Sequence, residues 1–396
     1  MKISYAKAVH DEKELRAVAR VIKEGRTIIG KETARFEERV AGLFGKKYGI
    51  MVNSGSSANL LALEVLNLPR GSEVITPLLT FATTLAPIVQ KGLIPVFVDV
   101  KPGSYFADID QVEKAITKKT RALIIPSLLG NVPDLSRLRK IAARHRLYFI
   151  EDSCDTLGAL FDGKPTGTFS DISTTSFYGS HVITAAGGGG MICVNKPVWA
   201  KELKMLRGWG RASAVTESDD VDERYKARVG KIPYDAKFVY SKIGYNFLPL
   251  EISAAFGLVQ LAKLKKFSRI RQRNFNELLL FFRSYEQFFV LPRVLPQVTT
   301  NWLAFPLTIR PEAPFSRLEV VRYLEKHEIQ TRPVFSGNVL KQPGFRDVRA
   351  RLPYQSYPVT DLITSQGFIV GCHHGLEKKH LEYLKEVLSR FLNKYV

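Results

Sequence analysis

The sequence contains little cysteine and no long apolar run. Three cysteines, Cys154, Cys193 and Cys372, occur among 396 residues; their spacing matches no metal site, and they cannot all pair with one another. We therefore expect free thiols and a cytoplasmic protein. No segment approaches the roughly 20 apolar residues that cross a bilayer. The segment from Met1 to Ile22 predicts an amphipathic helix, not a signal peptide, so no membrane partner is expected.

Negative charge is scarce relative to positive charge. The chain has 58 Lys and Arg against 38 Asp and Glu, a formal net charge of +20. Three interpretations stay open: a basic solvated surface, attraction of an anionic substrate such as a sugar diphosphate, and nucleic-acid binding. The basic residues are spread along the whole chain, and no basic tract is interleaved with aromatic residues. We therefore do not expect a nucleic-acid partner.

Short apolar segments alternate with helical segments through the first half of the chain. Buried strands are predicted at 50–54, 73–77, 94–100, 122–127 and 148–152. Repeated strand–helix–strand units predict an α/β fold with a mainly parallel sheet between helices.

The pattern changes near 210–240, where a polar stretch without a clear period predicts a long excursion. Two helical segments then extend through Arg283 into a C-terminal lobe with strand and helix patterns. The predicted division is a large domain at 1–255, which includes the N-terminal helix, and a smaller α+β domain at 256–396.

Two motifs place polar groups next to predicted strands. In SGSSAN (54–59), Ser56 and Ser57 begin a helix, where free N–H groups favour a phosphate, although serine is also an ordinary N-cap residue. In IEDSCD (150–155), Asp152 ends a strand. A buried carboxylate there needs a cationic partner or several hydrogen bonds. Either a protonated pyridine nitrogen is that partner, or the aspartate forms an ordinary salt bridge or helix cap.

Two further motifs lie later in the chain. A β-prone run ends at Ser176 and Tyr178, and His181 follows in a turn before four glycines. That histidine is either a structural residue or a proton acceptor. Asn246 precedes a helix in GYNFLPLEISAAFG, and by itself it is simply a good helix-start residue.

The four motifs together resemble the DegT-type sugar aminotransferase/dehydratase family over nearly the whole chain. The resemblance implies the type I aminotransferase fold with a seven-stranded sheet, a vitamin B6 cofactor, and homodimers with shared active sites. The resemblance also implies which residues bind the phosphate, the ring face and the ring nitrogen of the cofactor. The residues are Ser56, Ser57 and Ser176 for the phosphate, Phe81 stacked on the ring, Asp152 at the ring nitrogen with Asp155 beside it, and Asn246 reaching the phosphate from the partner subunit.

Position 181 decides which reaction the resemblance implies. Aminotransferases of the family carry lysine there, whereas this chain has His181 and no lysine between Lys164 and Lys196. Imidazole cannot form a Schiff base with pyridoxal phosphate, so we expect non-covalently bound pyridoxamine phosphate and a histidine that accepts a proton. The same change marks the family's 3-dehydratases. The prediction is therefore C3 dehydration of a nucleotide-linked 4-keto-6-deoxy sugar, with His181 as the base.

Five positions depart from the family patterns. Ser213 and Val215 stand where iron–sulfur dehydratases have cysteines, so we predict no iron–sulfur cluster. Trp209 and Leu248 replace groups expected to bind an amino donor, and Gly187 replaces a glutamate. Two fates of the dehydrated cofactor–sugar adduct stay open, reduction by a reductase partner and hydrolysis. The alternatives to dehydration are an aminotransferase-like reaction at the same site and a degenerate aminotransferase that binds without turnover.

Overall fold

The structure, a computed structural model, describes residues 1–215 and 218–396. Within these ranges the α-helices are α1 (Glu12–Lys23), α2 (Lys31–Leu43), α3 (Gly55–Glu64), α4 (Ala82–Gln90), α5 (Ile109–Lys114), α6 (Leu135–Arg144), α7 (Pro197–Arg207), α8 (Val221–Arg224), α9 (Glu251–Arg283), α10 (Arg317–Lys326), α11 (Pro358–Gln366) and α12 (Lys378–Leu392). The strands are β1 (Tyr48–Val52), β2 (Glu73–Pro77), β3 (Ile94–Val98), β4 (Thr120–Pro126), β5 (Tyr148–Asp152), β6 (Leu160–Phe161), β7 (Lys164–Pro165), β8 (Ile172–Ser176), β9 (Gly190–Val194), β10 (Arg228–Val229), β11 (Ile232–Pro233), β12 (Phe289–Val290), β13 (Val298–Thr299), β14 (Phe305–Ile309), β15 (Arg332–Pro333) and β16 (Gly367–Val370).

A seven-stranded sheet forms the centre of the N-terminal part, in the order β1-β9-β8-β5-β4-β2-β3. The pairs β2–β3, β2–β4, β4–β5 and β5–β8 are parallel. Strand β9 is antiparallel to both β8 and β1, so it alone runs against the other six. The carboxyl ends of those six strands therefore meet at one edge of the sheet, where α/β proteins bind their ligands.

Helices cover both faces of this sheet. Ile124 lies in the core formed with α3, α4 and α7, whereas its neighbours Leu123 and Ile125 lie in the core formed with α5 and α6. Successive strand residues point to opposite faces, which explains why the predicted strands are continuous apolar runs. The predicted α/β fold is thereby confirmed.

The long helix α9 joins the sheet to the C-terminal lobe. Its first half packs on α1 and α2, and Phe275 and Phe282 from its second half lie in the C-terminal core. The buried carboxylate of Glu251 accepts hydrogen bonds from the backbone N–H groups of Gly30 (2.8 Å) and Thr33 (3.0 Å). Because these donors lie at the N-terminus of α2, the carboxylate both caps that helix and complements its dipole.

The C-terminal lobe contains an antiparallel sheet in the order β12-β14-β16-β15. Residues of α10, α11 and α12 pack into its core. The two helical segments expected up to Arg283 form one helix, because no proline interrupts the sequence there. The predicted boundary between 1–255 and 256–396 falls inside α9, and this division stays a prediction.

The excursion near 210–240 contains only short elements among its described residues, namely α8, the β10–β11 hairpin and two 3-10 helices at Ala212–Val215 and Ala236–Phe238. Residues 216–217 of this excursion lie outside the described residues. None of the helices in the described ranges is both long and apolar enough to span a bilayer.

Candidate active site

The predicted site residues come from several elements that end at the same edge of the sheet. Asp152 is the last residue of β5, and Ser176 is the last residue of the adjacent parallel strand β8. Helix α3 begins at the same edge, with two residues between it and the end of β1. A Cβ atom added to Gly55, the first residue of α3, would lie 2.7 Å from Cβ of Ser176 and 2.9 Å from Sγ of Cys154. Only glycine permits this close approach of helix and strand.

The carboxylate of Asp152 is buried and hydrogen-bonded on both oxygens. Oδ2 accepts from Nδ2 of Asn59 (2.8 Å) and from Oγ1 of Thr84 (2.7 Å). Oδ1 accepts from the backbone N–H of Cys154 (3.2 Å). Three donors replace water that this carboxylate loses on burial. Its position at the end of a central strand suits a cation bound above the sheet.

A second carboxyl group, that of Asp155, lies three residues further along. Its Oδ2 accepts from the backbone N–H of Leu129 (2.9 Å) in the turn after β4. Burial raises the pKa of Asp155 to about 7, the bond from Leu129 opposes this rise, and the charge of Asp152 adds to it. Leu129 has a φ of 59°, so the turn holds a strained conformation that aims this N–H at the carboxyl group.

The serines surround the start of α3. Oγ of Ser54 accepts the backbone N–H of Ser57 (3.1 Å) and caps the helix. The hydroxyl of Ser57 donates to Oδ1 of Asn53 (2.7 Å). Ser56 is exposed and Ser176 is buried. A helix N-terminus bordered by hydroxyl groups is a favourable environment for a phosphate.

His181 lies in the turn that follows β8. Its Nδ1 is 3.3 Å from the carbonyl oxygen of Ser176. Because a carbonyl oxygen only accepts, the tautomer that makes this hydrogen bond has its proton on Nδ1 and keeps a lone pair on Nε2. Burial lowers the pKa of His181 to about 4; the hydrogen bond to Ser176 opposes this, and the charge of Arg271 lowers the pKa further. The imidazole is therefore neutral at physiological pH.

Arg271 also binds this turn. Its side chain is fully buried, and it donates to the carbonyl oxygens of His181 (3.3 Å), Trp302 (3.0 Å) and Leu303 (3.1 Å). Its Nε donates to Nδ1 of His374 (3.1 Å). All four acceptors are neutral. A guanidinium paired only with neutral groups keeps its full positive potential near the histidine turn.

Two more histidines are held neutral near Arg271. Burial lowers the pKa of His373 to about 3 and that of His374 to about 2, and the charge of Arg271 contributes in both cases. His374 stacks on Phe267 with ring centroids 3.8 Å apart. We refer to His181, His373 and His374 as the three low-pKa histidines.

Phe81 and Asn246 lie at the margin of this group. Phe81 precedes α4, is 49% exposed, and meets the ring of Phe335 edge-on at 5.8 Å. Asn246 is exposed, and its backbone pairs with Gly208. Within the described residues, no hydrogen bond joins Asn246 to another predicted site residue. The structure thus brings Ser56, Ser57, Asp152, Asp155, Ser176 and His181 to one edge of the sheet.

Sequence reasoning missed three side chains of this site. Asn59 and Thr84 bind the carboxylate of Asp152, and Arg271 binds the turn of His181. Asn59 lies within the SGSSAN motif and inside a buried helix face, so its polar side chain among apolar neighbours was the available signal. Thr84 and Arg271 stand in ordinary helical sequence that carried no comparable signal.

Comparisons with known proteins agree with this architecture. A model of the DegT/DnrJ/EryC1/StrS aminotransferase family matches residues 8–389. The chain belongs to this family. The fold and family predictions are therefore confirmed.

Two relatives and one solved structure carry closely related names. The dTDP-4-dehydro-2,6-dideoxy-D-glucose 3-dehydratase of Saccharopolyspora spinosa is 37% identical over 399 residues, which cover 98% of this chain and 86% of the relative. The GDP-4-keto-6-deoxy-D-mannose 3-dehydratase of Yersinia pseudotuberculosis is 32% identical over 402 residues, covering 97% and 98%. The structure of Escherichia coli GDP-4-keto-6-deoxy-D-mannose-3-dehydratase with bound hydrated PLP has a TM-score of 0.88 at 29% identity, covering 98% of this chain and all of that one.

Proposed function

We propose that the chain is a pyridoxamine-phosphate-dependent dehydratase that removes the C3 hydroxyl of a nucleotide-linked 4-keto-6-deoxy sugar. The observation that carries the proposal is His181 in the turn after β8, with its Nδ1 atom 3.3 Å from the carbonyl oxygen of Ser176. An imidazole there accepts a proton but cannot tether a cofactor. The names of the two 3-dehydratase relatives support the reaction and the substrate class.

The side chains at the sheet edge fit pyridoxamine phosphate. Hydroxyl groups of Ser56, Ser57 and Ser176 at a helix N-terminus suit its phosphate. The carboxylate of Asp152 suits its protonated ring nitrogen, and the exposed ring of Phe81 offers a flat apolar face. Together these side chains offer one ligand a site for its anionic phosphate, a carboxylate for its cationic ring nitrogen and an apolar surface for its ring.

Each protein group has a distinct task in the proposed reaction. When bound, pyridoxamine phosphate supplies a primary amine that condenses with the C4 ketone and a ring that withdraws electrons as the C3 hydroxyl leaves. Asp152 keeps the ring nitrogen protonated, His181 takes a proton at the C4′ carbon of the cofactor through Nε2, and the serines fix the phosphate. Asp155, with a pKa of about 7, holds or releases a proton near neutrality.

A product assay with matched histidine variants tests this function. The protein is loaded with pyridoxamine phosphate and incubated separately with CDP- and GDP-linked 4-keto-6-deoxyhexoses, and loss of the C3 oxygen is followed by mass spectrometry. We expect turnover in the wild type and in His145→Asn, an exposed histidine at the end of α6. We expect none in His181→Asn. Undiminished turnover in His181→Asn would refute the assignment, and transfer of an amino group would favour the aminotransferase alternative.

We also propose a homodimer in which Asn246 contributes to the cofactor phosphate of the partner subunit. Its exposure leaves its amide available to a second chain. Mixing His181→Asn with Asn246→Ala tests this idea, because a mixed dimer then contains one intact site. If neither variant is active alone, about a quarter of wild-type activity should return after random exchange of subunits. No recovery in a demonstrated mixed dimer contradicts the shared site.

We propose a reductase as the partner that reduces the unsaturated product. The three cysteines of the chain are fewer than the about four ligands that an iron–sulfur cluster needs, so electrons for a reduction would come from another protein. Free thiols at all three positions suit a cytoplasmic location.

A further inference from the structure

A second cleft lies at the edge of the seven-stranded sheet opposite to the candidate active site. It has a volume of about 570 Å³ and lies at the amino ends of β2, β3 and β4. Its charged lining residues are Arg70, Glu73, Lys119, Arg121, Arg349 and Arg351. We call it the basic cleft. The length of the strands separates it from Asp152 and Ser176, so it is a different place on the protein.

Positive charge in the basic cleft exceeds negative charge by a wide margin. The single carboxylate, that of Glu73, is 3.0 Å from Nε of Arg351 and also accepts hydrogen bonds from the hydroxyls of Thr117 (2.6 Å) and Thr120 (3.0 Å). Its charge is therefore already matched.

The other four cations of the basic cleft are Arg70, Lys119, Arg121 and Arg349. Within the described ranges, none of them has a carboxylate within 4 Å. Four unmatched positive charges around one cleft repel each other and attract an anion.

Three hydrogen bonds hold parts of this arrangement in place. The Nη1 atom of Arg121 donates to the carbonyl oxygens of Lys118 (2.8 Å) and Thr120 (2.9 Å), which orients its guanidinium. The backbone N–H of Arg351 donates to the carbonyl of Pro95 (2.9 Å). The segment that carries Arg349 and Arg351 is therefore fixed to the edge of the sheet, and the cost of ordering the Arg121 side chain is met in part before any ligand binds.

We propose that the basic cleft binds a small anion with two or more phosphate groups. Guanidinium groups bind phosphate oxygens in pairs, and three arginines with a lysine suit a ligand of several negative charges. The volume is in the range of small-molecule sites, whereas nucleic-acid interfaces spread over a much larger area. The lining comes from both sides of the predicted domain boundary, so the bound anion joins the two parts of the chain.

Titration calorimetry with inorganic pyrophosphate tests this site. The protein is first loaded with pyridoxamine phosphate so that the cofactor position is occupied. The test variant is Lys119→Ser/Arg349→Ser, which removes two exposed cations that hold no ion pair among the described residues. The control is Arg322→Ser/Lys326→Ser, which removes two exposed cations from α10. We expect the wild type and the control to bind pyrophosphate with equal affinity, and the test variant to bind it roughly tenfold more weakly.

Three results would overturn the proposal. They are the absence of pyrophosphate binding at millimolar concentration, equal affinity in the wild type and the test variant, and tighter binding of a short single-stranded oligonucleotide than of pyrophosphate. The test variant changes no residue of the candidate active site and sugar turnover is not measured, so failure of this proposal is distinguishable from failure of the dehydratase assignment.

Discussion

The charge of Arg271 should control the protonation of His181. Replacing Arg271 by methionine removes the buried charge and keeps much of the side-chain volume. Without it, the imidazole loses a repulsive partner, so the pKa of His181 should rise from its value of about 4. Burial is the larger cause of the low pKa, and burial persists in the variant. The pKa should therefore stay below the ordinary value of 6.5.

The size of the change follows from Coulomb's law. At an effective dielectric constant of about 20, a unit charge contributes about 4 kcal/mol at 4 Å and about 2 kcal/mol at 8 Å. The guanidinium contacts the backbone oxygen of His181 at 3.3 Å, not its ring, so the smaller figure applies, and partial exposure of the ring reduces it further. We expect a rise of about one pKa unit.

Histidine NMR titration of the cofactor-free protein measures this pKa directly. The signal of His181 is assigned with His181→Gln. Two matched variants serve as controls: Arg271→Lys keeps a positive charge at the site, and Arg273→Met makes the same chemical change at an exposed neighbouring position. Both should leave the pKa of His181 nearly unchanged. An unaltered pKa in a folded Arg271→Met variant, or a wild-type value near 6.5, would refute the electrostatic argument.

Three further predictions concern stability and cofactor binding. The three low-pKa histidines stay neutral in the folded chain, whereas the unfolded chain takes up protons on them below pH 6.5. Asp155 acts in the opposite sense because its folded pKa is raised. Since three groups outweigh one, urea unfolding should show the free energy of unfolding falling by roughly 1–3 kcal/mol per pH unit from pH 6.5 towards 4. Gly55→Ala should destabilise the fold by about 1–3 kcal/mol because its Cβ would collide with Ser176, whereas Gly42→Ala, with no atom within 4 Å, should be neutral or stabilising; thermal unfolding distinguishes them. Asp152→Asn should weaken pyridoxamine phosphate binding roughly tenfold or more, measured by equilibrium dialysis, because the cofactor's ring nitrogen loses its charged partner; unchanged affinity would remove Asp152 from the cofactor site.

Much of the architecture could be predicted from local patterns. Five apolar segments between helical segments indicated a parallel sheet, and the carboxyl end of one of them placed Asp152 at the ligand-binding edge. These patterns are informative because strand and helix periods depend on neighbouring residues only. The position of His181 after a strand, and the absence of any lysine nearby, could likewise be seen in the sequence alone.

Contacts between distant segments required the tertiary structure. Nothing in the sequence around Arg271 indicates that it lies behind a turn 90 residues earlier, or that Asn59 and Thr84 meet on one carboxylate. The sequence by itself determined the fold class and the residue types available for chemistry, since these depend on local spacing. The packing of α9 against the sheet edge decided how His181 is held neutral, because burial and the distance between charges are properties of the folded chain.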